Sequence, residues 1–145
     1  GRSAAEPTRA SLVRMKALIA LAAAALLLTG CSAQPVAPNS DIASLTFHQY
    51  QAIENFDDSE YTQDDPTEVA RFVSLLDEFG VVPGVTVTAD QDECAGGLSS
   101  TVRVVYSGGQ SADMFIASCG KPDYDRFNQQ ANELFTEWRI DVSAQ

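Results

Sequence analysis

Histidine occurs once in the 145 residues, at His48, so any Ser-His-Asp, Cys-His or multi-histidine metal arrangement would have to be built around that one ring. Nothing near it in sequence supplies a nucleophile; Thr46 and Tyr50 would share its face of a strand. Basic residues are few as well, nine against twenty acidic ones. Neutralising nucleic-acid phosphates requires Lys and Arg, so that class of partner is excluded. The glycine pairs Gly96-Gly97 and Gly108-Gly109 have neither the following Lys of a phosphate loop nor the strand-to-helix setting of a dinucleotide fingerprint. No serine stands in a Gly-x-Ser-x-Gly elbow, no Cys-x-x-Cys pair is present to lower a thiol pKa, and no internal repeat occurs. Catalytic, cofactor-binding and metal-ligating residues are therefore left unassigned. The acidic stretches Asp57, Asp58, Glu60, Asp64, Asp65 and Asp90, Asp92, Glu93 lack the central glycine and closing glutamate of a calcium loop and read as solvated loop charge.

Long apolar runs are also lacking, with one short exception. Met15 and Lys16 precede residues 17–28, an almost unbroken run of Ala, Leu and Ile, which small residues then close. About a dozen apolar residues fall short of the roughly 20 needed to cross a bilayer. A basic start, a short apolar segment and small residues at its end form a secretory signal pattern. Its last four residues, Leu28-Thr29-Gly30-Cys31, resemble the lipobox of bacterial lipoproteins. The resemblance spans 15–31 only. It implies that the Cys31 thiol receives a diacylglycerol, that the leader is cut before Cys31, and that the new amino group can be acylated too. Two or more acyl chains, at about 0.8 kcal/mol per buried methylene, anchor a protein stably. Ser32 follows the cysteine, and the family's sorting habit would then give no aspartate signal for inner-membrane retention. Residues 1–14 precede the expected initiator and read as an expression remnant or a misplaced start.

Residues 15–30 are thus expected to be a leader, 31–40 a lipidated cysteine and a proline-containing tether, and 41–145 one domain. From Cys31 onward nineteen acidic residues face five basic ones, a formal charge of −14. An anionic membrane would repel that surface, so the lipid must do the holding. With Cys31 given to lipid, Cys94 and Cys119 remain, in a compartment where disulfides persist. They are expected to pair, with two separate thiols or a reactive pair as the competing readings.

Within the domain, 41–50 reads as a first strand and 51–65 as mostly loop. Asp65-Pro66-Thr67-Glu68 supplies an N-cap, a first-turn proline and the Glu of a capping box, after which Val69, Phe72, Leu75, Leu76 and Phe79 form one helical stripe that Gly80 ends. The β-branched 85–88 suggests another strand, and 101–107 with 111–118 a hairpin about Gly108-Gly109. Centring it there pairs positions summing to 217 and sets Cys119 opposite Leu98. A second helix over 123–139 carries Tyr124, Phe127, Ala131, Leu134 and Trp138 as core, with Phe135 at the stripe's edge as a possible contact patch if exposed.

The expected fold is α+β: a small two-layer sandwich, its antiparallel sheet of three to four strands covered on one face by two helices. The expected function is that of a membrane-anchored envelope lipoprotein, outside the cytoplasmic membrane, whose acidic domain binds an unidentified ligand or envelope protein. The alternatives are an envelope hydrolase using His48 or a carboxylate pair, and an inhibitor or accessory subunit docking on a basic partner.

Overall fold

The structure is a computed structural model that describes residues 36–90 and 96–143, without the side chains of 142 and 143. Its folded unit has a four-stranded antiparallel sheet and two helices, as the α+β expectation requires. In chain order these are β1 (Ile42–Tyr50), β2 (Glu60–Gln63), α1 (Pro66–Phe79), β3 (Ser99–Tyr106), β4 (Ser111–Ala117) and α2 (Asp125–Ser143), with single 3-10 turns at Asn39–Asp41 and Pro122–Tyr124. Across the sheet the order is β2-β1-β3-β4.

Alternation along β1 buries Leu45, Phe47 and Gln49 and leaves Thr46 and His48 half-buried on the other side. Cross-strand register continues the buried rows: Tyr61, Phe47, Val102 and Met114 lie side by side, and Gln63, Leu45, Val104 and Ala112 form the next row. Both helices close over this face, α1 through Val69, Phe72 and Leu76 and α2 through Phe127, Ala131, Leu134, Phe135 and Trp138.

The helix caps follow the sequence only in part. Asp65 accepts hydrogen bonds from the backbone N–H groups of Thr67 (2.9 Å) and Glu68 (3.1 Å), and Gly80 closes α1 in the left-handed conformation. The second half of the capping box is not made. Asp65 N–H donates to Gln63 Oε1, while Glu68 accepts from Trp138 Nε1 at 2.6 Å and from Arg71. A long-range partner has displaced the local one, and the bond joins the two helices. Arg71 adds a bidentate pair to Glu137, which with Glu68 holds its guanidinium protonated above the ordinary arginine range.

Four expectations are corrected. The loop expected over 51–65 contains β2, whose sole aromatic, Tyr61, stacks on Phe47 at 5.8 Å; its acidic flanks hide it in the sequence. No strand forms over 85–88. That segment meets β4 through the Thr88 hydroxyl, which donates to Phe115 O, instead of through a backbone ladder, and Val85 and Val87 stay exposed. The β3-β4 hairpin pairs positions summing to 216, as in Val102 with Met114, because the loop is the three residues 107–109 with Gly109 at φ +84°. Such a one-residue offset exchanges the two faces of a strand, and it brings Ser118 N–H, not Cys119, to Leu98 O. Finally, α2 starts after the Pro122–Tyr124 turn and runs to Ser143, and Phe135 is fully buried.

Phe135 meets Phe47 of the sheet at 4.8 Å, Phe72 of α1 at 5.3 Å and Trp138 at 5.6 Å between ring centroids. Phe135→Ala is therefore expected to destabilise the domain by about 3–5 kcal/mol, the cost of emptying a core aromatic site. Urea denaturation checks this; a loss below about 1 kcal/mol would mean that the ring is not at the junction of the two layers.

Candidate functional sites

Among the surfaces of the described residues that gather polar side chains, two lie on opposite sides of the sheet. The uncovered side is set by the residues that alternate with the core. Thr62, Thr46, Arg103 and Asp113 form one row across it, and Glu60, His48, Thr101 and Phe115 the next. A groove of 460 Å³ is lined by Thr46, His48, Glu60, Thr101, Arg103 and Asp113. His48 and two carboxylates are thus brought together, as the hydrolase alternative needs. Their chemistry is otherwise. Asp113 is held by Arg103 in a two-bond pair (2.7 and 3.1 Å), which lowers its pKa and keeps it ionised. Both partners are 62% exposed, so water and salt screen them. An open face does not exclude water around a developing charge, which is what strong electrostatic catalysis requires.

The second surface lies where the covered side of the sheet turns polar. After Leu45 and Phe47 the next inward position of β1 is Gln49, which is wholly buried, and its partner on β3 is Ser100. From α2, Asn132 and Thr136 descend on them. Gln49 Nε2 donates to the Asn132 carbonyl (3.1 Å) and to Ser100 Oγ (3.4 Å), and Ser100 Oγ donates to Asn132 Oδ1 (2.6 Å). Thr136 Oγ1 donates to the same carbonyl and is 3.2 Å from Gln49 Oε1. Among the described residues every side-chain polar atom of this cluster except Asn132 Nδ2 lies within hydrogen-bond distance of a partner, with the one Thr136 hydroxyl proton shared between the Asn132 carbonyl and Gln49 Oε1. A groove of 650 Å³ opens there, lined by Leu98, Asp125, Gln129, Asn132, Glu133 and Thr136.

One turn earlier on α2, buried Asn128 donates to Thr88 O at 3.0 Å. Gly120 runs so close that a Cβ there would lie 1.9 Å from Asn128 Nδ2, so only glycine fits. These contacts hold the coil after α1 against α2. Sequence reasoning missed the polar cluster. Its signal was the pair Asn128 and Asn132, four residues apart beside the apolar stripe of α2, together with a glutamine at an inward strand position.

Cys119 is disulfide-bonded and exposed; Cys31 and Cys94 lie outside the described residues, as does the lipobox. Trp138 is core, as expected from its spacing. Of the acidic stretches, Asp65 is a cap and Asp90 lies 3.9 Å from Lys121 Nζ. Asp57 accepts from Ser59 N–H and from the Tyr61 hydroxyl, and its own carbonyl accepts from Arg139, whose guanidinium lies over Phe56. These bonds fasten the 51–59 loop to α2. Asp92 and Glu93 lie outside the described residues, among which no group of three or more His, Cys, Asp or Glu is placed to hold a metal ion.

Compared with known proteins, the chain matches no family model, no curated protein and no solved structure. The functional reading rests on its own residues.

Hydrogen bonds from the Ser59 hydroxyl, the Tyr61 hydroxyl and the Ser59 N–H bring the Asp57 pKa from 3.8 down to about 2. A depressed carboxylate stabilises the fold fully above its unfolded pKa and ceases to do so as pH falls through the folded one. NMR titration is expected to place the Asp57 midpoint near 2, and Tyr61→Phe to move it back toward 3.8. A wild-type midpoint at the ordinary value would show that these bonds do not persist in solution.

Proposed function

We propose that the protein is a bacterial envelope lipoprotein that presents a small acidic binding domain outside the cytoplasmic membrane. The observation that carries the reading is the sequence Leu28-Thr29-Gly30-Cys31 at the end of a short apolar run that begins after Met15 and Lys16. The anchor is Cys31: a thioether to diacylglycerol forms on its sulfur, the bond before it is cleaved, and its freed amine takes a further acyl chain. Among the described residues, which do not include 15–31, no helix is long and apolar enough to cross a membrane. The charge of −14 after Cys31 would oppose adsorption to an anionic bilayer, so acyl chains supply the attachment.

Binding is favoured over catalysis because the charged pair of the His48 groove is exposed and screened, whereas the Asn132 groove adjoins a buried cluster of hydrogen-bonding side chains. We assign Cys94 as the partner of Cys119. Closing the 24 residues between them stabilises the domain by about 3 kcal/mol in the chain-entropy account.

In a bacterial host fed a clickable fatty acid, the native chain is expected to carry label and Cys31→Ala none; equal label on both would dispose of the anchor. Alkylation of the denatured, unreduced protein is expected to leave Cys94 and Cys119 unmodified. Two alkylated thiols at those positions would refute the pairing.

A further inference from the structure

Asn132 is 3% exposed and its Nδ2 has no protein partner among the described residues. Turning the amide over would set the nitrogen against Ser100 and leave the oxygen alone instead, so one polar atom stays unmatched either way. A buried unmatched donor is costly, and native structures keep such groups where something else satisfies them. The groove above it, at 650 Å³, is of ligand-binding size.

Its other lining residues define the chemistry. Asp125 and Glu133 are exposed, no Lys or Arg is among the described residues that line the groove, and Leu98 supplies an apolar wall. An anionic ligand would meet two carboxylates there, whereas a cation with an aliphatic stem and a nearby carbonyl would satisfy all three features. Asp125 and Asn132 lie seven residues, or two turns, apart on one side of α2, about 10 Å at 1.5 Å per residue. A lysine side chain of about 6 Å plus one extended residue of about 3.5 Å spans that distance. Along one turn of the helix at the groove Gln129 donates an exposed hydrogen bond to Glu133, which an incoming cation would replace.

The geometry points to a binding site for a basic peptide in this groove: a backbone carbonyl accepts from Asn132 Nδ2, the ammonium reaches Asp125, the stem lies on Leu98, and Glu133 adds negative charge along the way. This rests on the reading of the domain as a binding module and is independent of the anchor.

The test titrates the full-length, nitrogen-15-labelled protein in neutral detergent micelles with three capped tripeptides, Ala-Lys-Ala and its norleucine and glutamate counterparts. The lysine peptide is expected to shift the Asn132 side-chain amide and the backbone amides of Leu98, Gln129 and Glu133 saturably. Asp125→Asn with Glu133→Gln is expected to weaken that binding about five-fold or more, at up to about 1 kcal/mol per exposed charge pair. Equal binding of the norleucine or glutamate peptide in the groove would overturn the basic-peptide assignment and leave the binding module standing. Absence of any saturable shift there with all three, with Asn132 reporting only bound water, would overturn both.

Discussion

The contact on which the rest of the structure depends is the stack of Phe135 on Phe47. Phe47 stands in the middle of the sheet, between Tyr61 of β2 and Val102 of β3, and Phe135 covers it from α2 while also touching Phe72 of α1. Sheet, first helix and second helix thus share one aromatic junction. Offset aromatic pairs add about 0.5–1.5 kcal/mol each beyond the area they bury. The polar links between the helices are secondary. Trp138 to Glu68 is a short bond at the margin of this junction, and Arg71 with Glu137 is exposed enough to contribute little by itself.

Away from that junction the same layer boundary becomes polar. Where an all-apolar core would place an aliphatic side chain, β1 has Gln49 and β3 has Ser100, and α2 answers with Asn132 and Thr136. Burying so many amides and hydroxyls is tolerable because nearly all of them lie within hydrogen-bond distance of one another; the exception belongs to Asn132, which lines the groove. A fold needing only stability gains nothing from this arrangement, since aliphatic side chains would fill the space without the desolvation cost. The two grooves on opposite sides of the sheet give the domain two unlike surfaces, one lined by carboxylates beside a buried amide cluster, the other by an exposed and screened ion pair.

Much of this was legible in the residues. The stripe of α1, its Asp65 cap, the Gly80 stop, the first strand and the core spacing of Trp138 all follow from local pattern, because each depends on neighbours within a turn or a strand. What was not legible depended on distant partners. Glu68 was expected to bond back to its own helix start and instead serves Trp138, seventy residues on. Phe135 lay at the edge of an apolar stripe drawn on α2 alone; it is central because two elements meet there. The strand at Glu60–Gln63 has one apolar side chain in four, too few for periodicity to register, and the hairpin register turned on a loop of three residues instead of two. The polar groove was hidden for the same reason: an asparagine on a buried stripe is informative only once its strand partners are known.

Native-state hydrogen exchange on the full-length protein tests most directly whether the aromatic junction holds the two layers as one cooperative unit. The account predicts that the slowest amides lie in the middle of β1 and β3 and in the turn of α2 around Phe135, and that they open with a common free energy. Exchange of α2 at the rate of the 51–59 loop, while β1 and β3 remain protected, would contradict it.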